Sequence, residues 1–383
     1  MHLLLVYKQF PGPGVGHAGG QAVYGLMRHL RARGHRLSLV ARLRANEETQ
    51  LAAVMELCEH VYTVPHHKDL SGPRLWAVLK SYLSLRQMAR HAQRTLHPDG
   101  LIVETMQTAV ALIGLEGRRA TLRLHDIDWF LFEQQAWEVT GWRRLKARLI
   151  AWFLRHAEPW IMRRYAVVAT VSQGDARLLA PLRLPALITL PLEPGLNPHV
   201  ASERLSRPVL APYVLFVGAM DRAYNQQAVG WFVEQVWPRV RAAVPEASFC
   251  VVGNAPPLEL LARNGQDGLR VTGFVPDLRP WYEGAAVFVA PLRVSGGLLQ
   301  KLLDALAMGL PVVATSVSNH GIAAIPGEHL ELADTPEAFA EKVIALLRDP
   351  VRAAALGRAG QAYVQGHFQL RPALERWERM VSS

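Results

Sequence analysis

Cysteine is scarce in this 383-residue chain: there are two, Cys58 and Cys250, one in each half, with no CxxC and no histidine spacing that would hold a metal. A disulfide-built scaffold and a zinc module are therefore excluded, and two buried, reduced thiols are expected. Long apolar runs are missing too. No stretch reaches the roughly 18 residues that a bilayer span requires. The opening MHLLLVYKQF is too short, and turns polar too soon, for a secretion signal, so the expected location is the cytoplasm. Low-complexity tracts and solenoid-length repeats are absent. Acidic excess is absent as well, since 42 Lys and Arg face 32 Asp and Glu for a net charge of +10. No helix-turn-helix, zinc or RNP-like pattern accompanies that charge, which argues against a nucleic-acid partner.

What is present is enough apolar sequence for two cores. Half of the residues are hydrophobic, and the length exceeds the roughly 250 to 300 residues that one core serves. The charge divides unevenly between the halves. Residues 1–195 hold 25 Lys and Arg against 15 Asp and Glu, whereas residues 196–383 hold 17 of each. All of the excess therefore belongs to the N-terminal half, which suits an anionic acceptor or an acidic membrane surface.

Short apolar runs alternate with helical periods, the signature of parallel sheets. In the first half the runs are LLLVY, HRLSLVA, VYTVP, GLIVE, TLRLH and VVATVS, with a helix from about Gly20 to Arg33. In the second they are YVLFVG, SFCVVG, LRVTGF, AAVFVAP and LPVVAT. Between them lies a proline-rich linker, Pro191 to Pro212. The expectation is an α/β protein of two doubly wound Rossmann-like domains facing a central cleft.

The densest signal is GGLLQKLLDALAMGLPVVAT, Gly296 to Thr315. Gly296 and Gly297 permit a tight turn and close approach to a ligand, and the following helix begins with its N–H groups aimed there. Lys301 and Asp304, three apart, share a helix face. In PLRVSGGLLQKLLDALAMGLPVVAT the segment resembles the signature of family-four retaining glycosyltransferases of the GT-B type (glycosyl transferases group 1), in its Gly-rich branch of bacterial exopolysaccharide and lipopolysaccharide sugar transferases. The likeness continues through YVLFVGAMDRAYNQQAVGWF, SFCVVGNAPP and VTGFVPDLRPWY. In the first half it is carried by GGQAVYGLMRHLRARGHRLSLV, RLHDIDWF and ATVSQGDA.

The resemblance implies an N-terminal acceptor-binding domain over 1–195, a C-terminal donor-binding domain over 196–365, and a final helix, 366–383, returning to the first. The donor is implied to be a nucleoside diphosphate sugar, UDP- or GDP-linked, with no resident cofactor or metal. The glycine loops at Gly19, Gly20, Gly218, Gly253, Gly296 and Gly297 are donor-binding candidates. So are the backbone amides of Leu298, Leu299 and Gln300, with Lys301 as the point charge on the diphosphate. Asp304 stands where the family's second glutamate meets the ribose, and Gly296 replaces the first glutamate. The family's arginine and lysine clamp is replaced by Ala219 and Asn225, so Arg222 is the compensating candidate and Asn225 reads as a helix cap. Phe274 and Val275 would rest against the base. His125 is the candidate to steady the transferring sugar or leaving group, making His125 and Lys301 the catalytic pair. Glu104, Asp126 and Asp128 are acceptor-binding candidates.

Two further stretches are basic and helical. Trp142, Leu145, Leu149, Trp152 and Phe153 recur at helical spacing among Arg143, Arg144, Lys146, Arg148 and Arg155. They read either as the buried face of a core helix or as a membrane-facing one. Arg86, Arg90 and Arg94 form a second stripe, either solvated or lipid-facing. Together these features lead to the expectation of a retaining, metal-independent hexosyltransferase. It would act on a saccharide acceptor, lipid-linked, in bacterial surface polysaccharide synthesis, peripheral to the inner face of the membrane. A nucleotide-sugar epimerase of the same fold and a non-catalytic adaptor are the alternatives.

Overall fold

The computed structural model describes residues 1–15, 17–69, 73–196 and 212–382, so most of the linker lies outside the described residues. The chain divides into two compact units. One comprises Met1–Glu133, Gly141–Glu193 and Gln369–Ser383, and the other Gln134–Thr140 and Pro194–Phe368.

The first unit is built on β1 (His2–Tyr7), β2 (Arg36–Leu43), β3 (His60–Pro65), β4 (Gly100–Glu104), β5 (Ala120–Leu124), β6 (Val167–Thr170) and β7 (Leu187–Thr189). They form one parallel sheet in the order β3-β2-β1-β4-β5-β6-β7. Every residue of β1 is buried because the sheet is covered on both faces. The pleat sends Leu3, Leu5 and Tyr7 into one core and Leu4 and Val6 into the other. The chain order reverses between β1 and β4, the kind of switch point beyond whose carboxyl ends ligands bind in such sheets. Its helices include α1 (Ala18–Ala32), α2 (Arg74–Leu96), α3 (Asp128–Glu138, whose end belongs to the second unit) and α4 (Gly141–Met162).

The second unit repeats this plan with β8 (Tyr213–Val217), β9 (Ser248–Val252), β10 (Leu269–Gly273), β11 (Val287–Ala290), β12 (Val312–Ala314) and β13 (Glu331–Leu332). They are ordered β10-β9-β8-β11-β12-β13, all parallel, with the switch point between β8 and β11. Helix α5 (Ala223–Trp231) follows β8, and α6 (Gln300–Ala307) follows β11.

The last helix, α7 (Leu370–Ser382), packs on the first unit. It buries Leu370, Ala373, Leu374, Trp377 and Val381 there, and the Trp377 indole donates to Thr121 Oγ1 on β5 at 2.9 Å. Glu378 accepts from the Arg33 guanidinium through both oxygens at 2.7 Å and stands 2.8 Å from His35 Nε2. Both thiols are free, and burial pushes Cys58 up to about 12 and Cys250 up to about 11. Cys58 is only half-buried, short of the expectation.

Candidate functional site

In the second unit Gly218, Asn225 and Lys301 meet at the carboxyl ends of β8 and β11, whereas no side-chain hydrogen bond, ion pair or ring contact joins Arg222, Phe274 or Val275 to them among the described residues. Lys301 lies in the first turn of α6, whose start carries no side-chain cap, so the helix N-terminus stays available to an anion. Its Nζ donates to Asn225 Oδ1 at 2.5 Å and stands 4.4 Å from the centre of the Phe216 ring. Asn225 is buried and uses its other amide atom to donate to Ala219 O at 2.8 Å. It is therefore a holder of Lys301 and not the expected cap of α5, whose N-cap is Arg222. Neither Asn225 nor Phe216 carries a compensating charge, and burial pushes the Lys301 ammonium down to about 7.

The glycines fall into two kinds. A Cβ on Gly218 would lie 2.7 Å from Lys301 Nζ, so this glycine leaves room at the ammonium. Gly297 has φ +58 at the turn before α6, next to Gly296. Gly253 differs. A Cβ there would overlap the Gly218 carbonyl at 1.9 Å, so backbone packing between two loops accounts for it.

Asp304 is buried, and among the described residues its hydrogen bonds all fall on Oδ1. They come from Gly195 N at 2.7 Å, Gln300 Nε2 at 3.0 Å and Leu196 N at 3.4 Å. Burial pushes its carboxyl up to about 6 against those donors. Leu298 and Leu299 form the entry to α6, with Leu299 as its N-cap. Phe274, 76% exposed, and the half-buried Val275 follow Gly273 at the end of β10. The Arg222 side chain is exposed beside Asp221, 3.7 Å away.

The first unit holds a separate cluster at the ends of β1, β4 and β5. His125 Nε2 stands 2.7 Å from Glu104 Oε2, and Arg123 Nη1 lies 3.4 Å from both oxygens of that carboxylate. Glu104 has no exposed surface, so it does not touch an acceptor as the sequence suggested; it orients the imidazole. Burial pushes its carboxyl up, but Arg123 and His125 outweigh that and hold it below the usual range. The next residue, Thr105, has φ +78, a region costly for a β-branched side chain, so backbone strain is concentrated beside this carboxylate.

Gly19 is required here. A Cβ on it would lie 2.7 Å from Tyr7 Oη and 3.4 Å from His125 Nδ1. Gly20, by contrast, gives its amide to His17 Nδ1 at 2.9 Å, the N-cap of α1, so that N–H is spent on the helix. Asp128, in the first turn of α3, accepts from Gln107 Nε2 at 2.6 Å, and Gln107 Oε1 accepts from Lys8 Nζ at 2.8 Å. Burial, with Asp126 nearby, pushes Asp128 up to about 6. Asp126 itself is exposed. Sequence reasoning missed Lys8, Gln107 and Arg123. A lysine immediately after the first strand was the available signal for Lys8, but a buried arginine inside a strand announces itself by no spacing.

Two doubly wound parallel sheets, with a buried lysine at a helix start on the switch point of one, define a two-domain Rossmann-like α/β class. Family models agree. The glycosyl transferase 4-like domain matches residues 18–193, and glycosyl transferases group 1 matches residues 211–349. The chain belongs to the glycosyl transferases group 1 family.

A GDP-mannose-dependent monoacylated alpha-(1-6)-phosphatidylinositol monomannoside mannosyltransferase of Corynebacterium glutamicum is 29% identical over 38% of this chain and 42% of its own. A lipopolysaccharide core biosynthesis mannosyltransferase of Rhizobium leguminosarum is 25% identical over 55% of this chain and 62% of its own. The match thus spans less than two thirds of these curated relatives. Among solved structures, Anabaena HepE in complex with UDP superposes with a TM-score of 0.69 over the full length of both chains at 14% identity, which shows the GT-B fold.

Proposed function

We propose that the protein is a retaining glycosyltransferase that moves a hexose from a nucleoside diphosphate sugar to a saccharide acceptor, lipid-linked, in the assembly of a bacterial surface polysaccharide or lipopolysaccharide. The observation that carries this reading is Lys301. A desolvated ammonium is held by a neutral amide and an aromatic face, at an uncapped helix start, with glycine at the approach. Among the described residues such a cation meets no anion, and a diphosphate supplies one.

The second unit binds the donor. Lys301, with the backbone at Gly296, Gly297, Leu298, Leu299 and Gln300, takes the diphosphate, and Asp304 takes the ribose. Phe274 and Val275 take the base, with Gly218 keeping the approach open. Arg222 is the outer cation. The first unit binds the acceptor, with Asp126 and Asp128 as its polar contacts. Its His125 is held by Glu104 so that Nδ1 is the atom left to face the reacting sugar.

With glycine at position 296, no carboxylate stands there to act as nucleophile. The acceptor hydroxyl attacks on the face of the departing diphosphate, whose oxygen takes the proton. Lys301 and the helix amides stabilise the charge that develops, a role a divalent metal plays elsewhere. The names of the relatives favour GDP-mannose and the HepE complex favours UDP, so both belong in the test.

Calorimetric titration with UDP, GDP and their sugars is expected to find one tight diphosphate. Lys301→Ala should weaken diphosphate and nucleoside diphosphate alike, whereas Asp304→Asn should weaken only the nucleoside-bearing ligands, by roughly tenfold. Absence of binding by every nucleotide would overturn the reading and favour a non-catalytic adaptor; turnover of a sugar nucleotide without acceptor would favour an epimerase.

A further inference from the structure

Helix α4 is inverted with respect to a core helix. Its buried stripe is made largely of small side chains, Ala147 and Ala151, followed by Glu158 and Pro159 before Ile161 and Met162 reach the core. The large apolar residues face outward. Trp142 is 72% exposed, Trp152 64% and Phe153 62%, and Leu145 and Leu149 are about half exposed on the same arc. The expectation of a core helix therefore fails for this face.

Exposed cations flank the arc: Arg143 and Lys146 on one side, Arg148 and Arg155 on the other. Arg155 reaches Glu133 at 2.9 Å. No acidic residue occurs in α4 before the buried Glu158. A second apolar arc lies on the first turns of α2, where Leu75, Trp76, Leu79 and Leu83 are exposed. Arg86, farther along, is committed to the carbonyls of Ala111 and Ile113, whereas Arg90 and Arg94 of the same stripe are exposed.

Both helices pack on the same face of the first sheet, through Leu85, Ala89 and Ala92 of α2 and Leu154, Ile161 and Met162 of α4. Crossover helices run antiparallel to their strands, so the first turns of both stand at the carboxyl edge of that sheet. Lys8 and His125 stand at that same edge, at the ends of β1 and β5.

We infer that the first turns of α2 and the outer face of α4 form a docking surface for an anionic lipid bilayer. Tryptophan and leucine enter the head-group boundary while the flanking arginines and lysine meet phosphate. Charge decides the occupant. A second copy of the chain would set this basic face against itself, whereas an acidic bilayer complements it. Docked this way, the rim carrying His125 and Lys8 borders the lipid, so the acceptor is a saccharide presented from the membrane surface. That last step rests on the glycosyltransferase reading, but the docking surface does not.

The test is flotation of the full chain with phosphatidylcholine vesicles, with and without equal phosphatidylglycerol, at low and high salt. The expected result is binding to the anionic vesicles only, weakened by salt. Trp152→Ser with Phe153→Ser should lower partitioning roughly tenfold. Arg143→Gln, Lys146→Gln and Arg148→Gln together should lower it comparably and flatten the salt dependence. Both variants should keep the wild-type Tm without lipid and the wild-type nucleotide response, which separates this proposal from the donor site. Binding indifferent to lipid charge, or unchanged in both variants, overturns it. So does a fall in Tm without lipid, which would mean the face is packed, or a dimer in lipid-free solution abolished by the tryptophan-phenylalanine variant, which would make a second copy the occupant.

Discussion

His125 Nε2 meets Glu104 Oε2 at 2.7 Å, and that carboxylate is wholly buried against Arg123. The pair engages Nε2 and sets the orientation of the ring, leaving Nδ1 as the nitrogen that the role proposed for His125 uses. Glu104→Gln is expected to lower kcat with little change in KM and to destabilise the fold by about 3 kcal/mol, because Arg123 is left charged and buried. The carboxyl is held below its unfolded value. Its contribution is thus present above the usual carboxylate range and disappears as pH falls through the lowered value. Thermal unfolding against pH should show this acid limb in the wild type and a flatter one in the variant.

Lys301 titrates at about 7 when folded, against an ordinary value of 10.5, so the unfolded chain binds the extra proton between those values. Stability therefore rises with pH across that window, and Lys301→Met should abolish the rise. The same variant should melt about 2–4 °C higher at pH 7 while losing diphosphate affinity. Conversely, diphosphate binding to the wild type at pH 8 should take up a proton, readable by calorimetry in buffers of different ionisation enthalpy.

Asn225 permits a sharper test because one atom distinguishes amide from acid. Asn225→Ala removes a hydrogen bond and should weaken diphosphate binding modestly. Asn225→Asp supplies Lys301 with an anion already in place, which should raise the lysine's pKa and weaken diphosphate binding more than the alanine change, by at least about tenfold. Equal losses in the two variants would mean that the lysine's charge is not what the ligand needs.

Glu378 is held at about 2 by Arg33 first and by His35, although partial burial opposes them. Its contribution is complete above the usual carboxylate range and is lost as pH falls toward 2. Glu378→Gln should lower stability by about 1–2 kcal/mol at pH 7, since the site is partly solvated, and by nothing near pH 2. Hydrogen exchange in α7 should accelerate in step.

Much of this was legible in the sequence. Apolar runs such as LLLVY and YVLFV marked strands because both sheet faces are covered, and the Gly-Gly turn marked the loop that leads into the helix of Lys301. The two short strands β7 and β13 carried too few residues to show a period. Asn225 was misread because a cap and a buried amide use the same residue type, and only the fold brings Lys301 to it. Glu104 was misread because exposure depends on its neighbours in β1 and β5. In α4 the apolar period was real, but its direction was set by which stripe was small enough to lie on the sheet's core.

The hydrogen bond from Trp377 to Thr121 has a consequence for the order of events on the ribosome. The sheet of the first unit is synthesised by residue 189, yet a piece of its apolar filling arrives only with residues 370 to 382, after all of the second unit's strands. Until then β5 lacks its tryptophan partner, and Arg33 and His35 lack their shared carboxylate. The nascent first unit therefore waits with an open apolar groove through roughly 180 further residues of synthesis, about ten seconds or more of elongation. The second unit, nearly all of it one unbroken stretch, is finished first although it begins later.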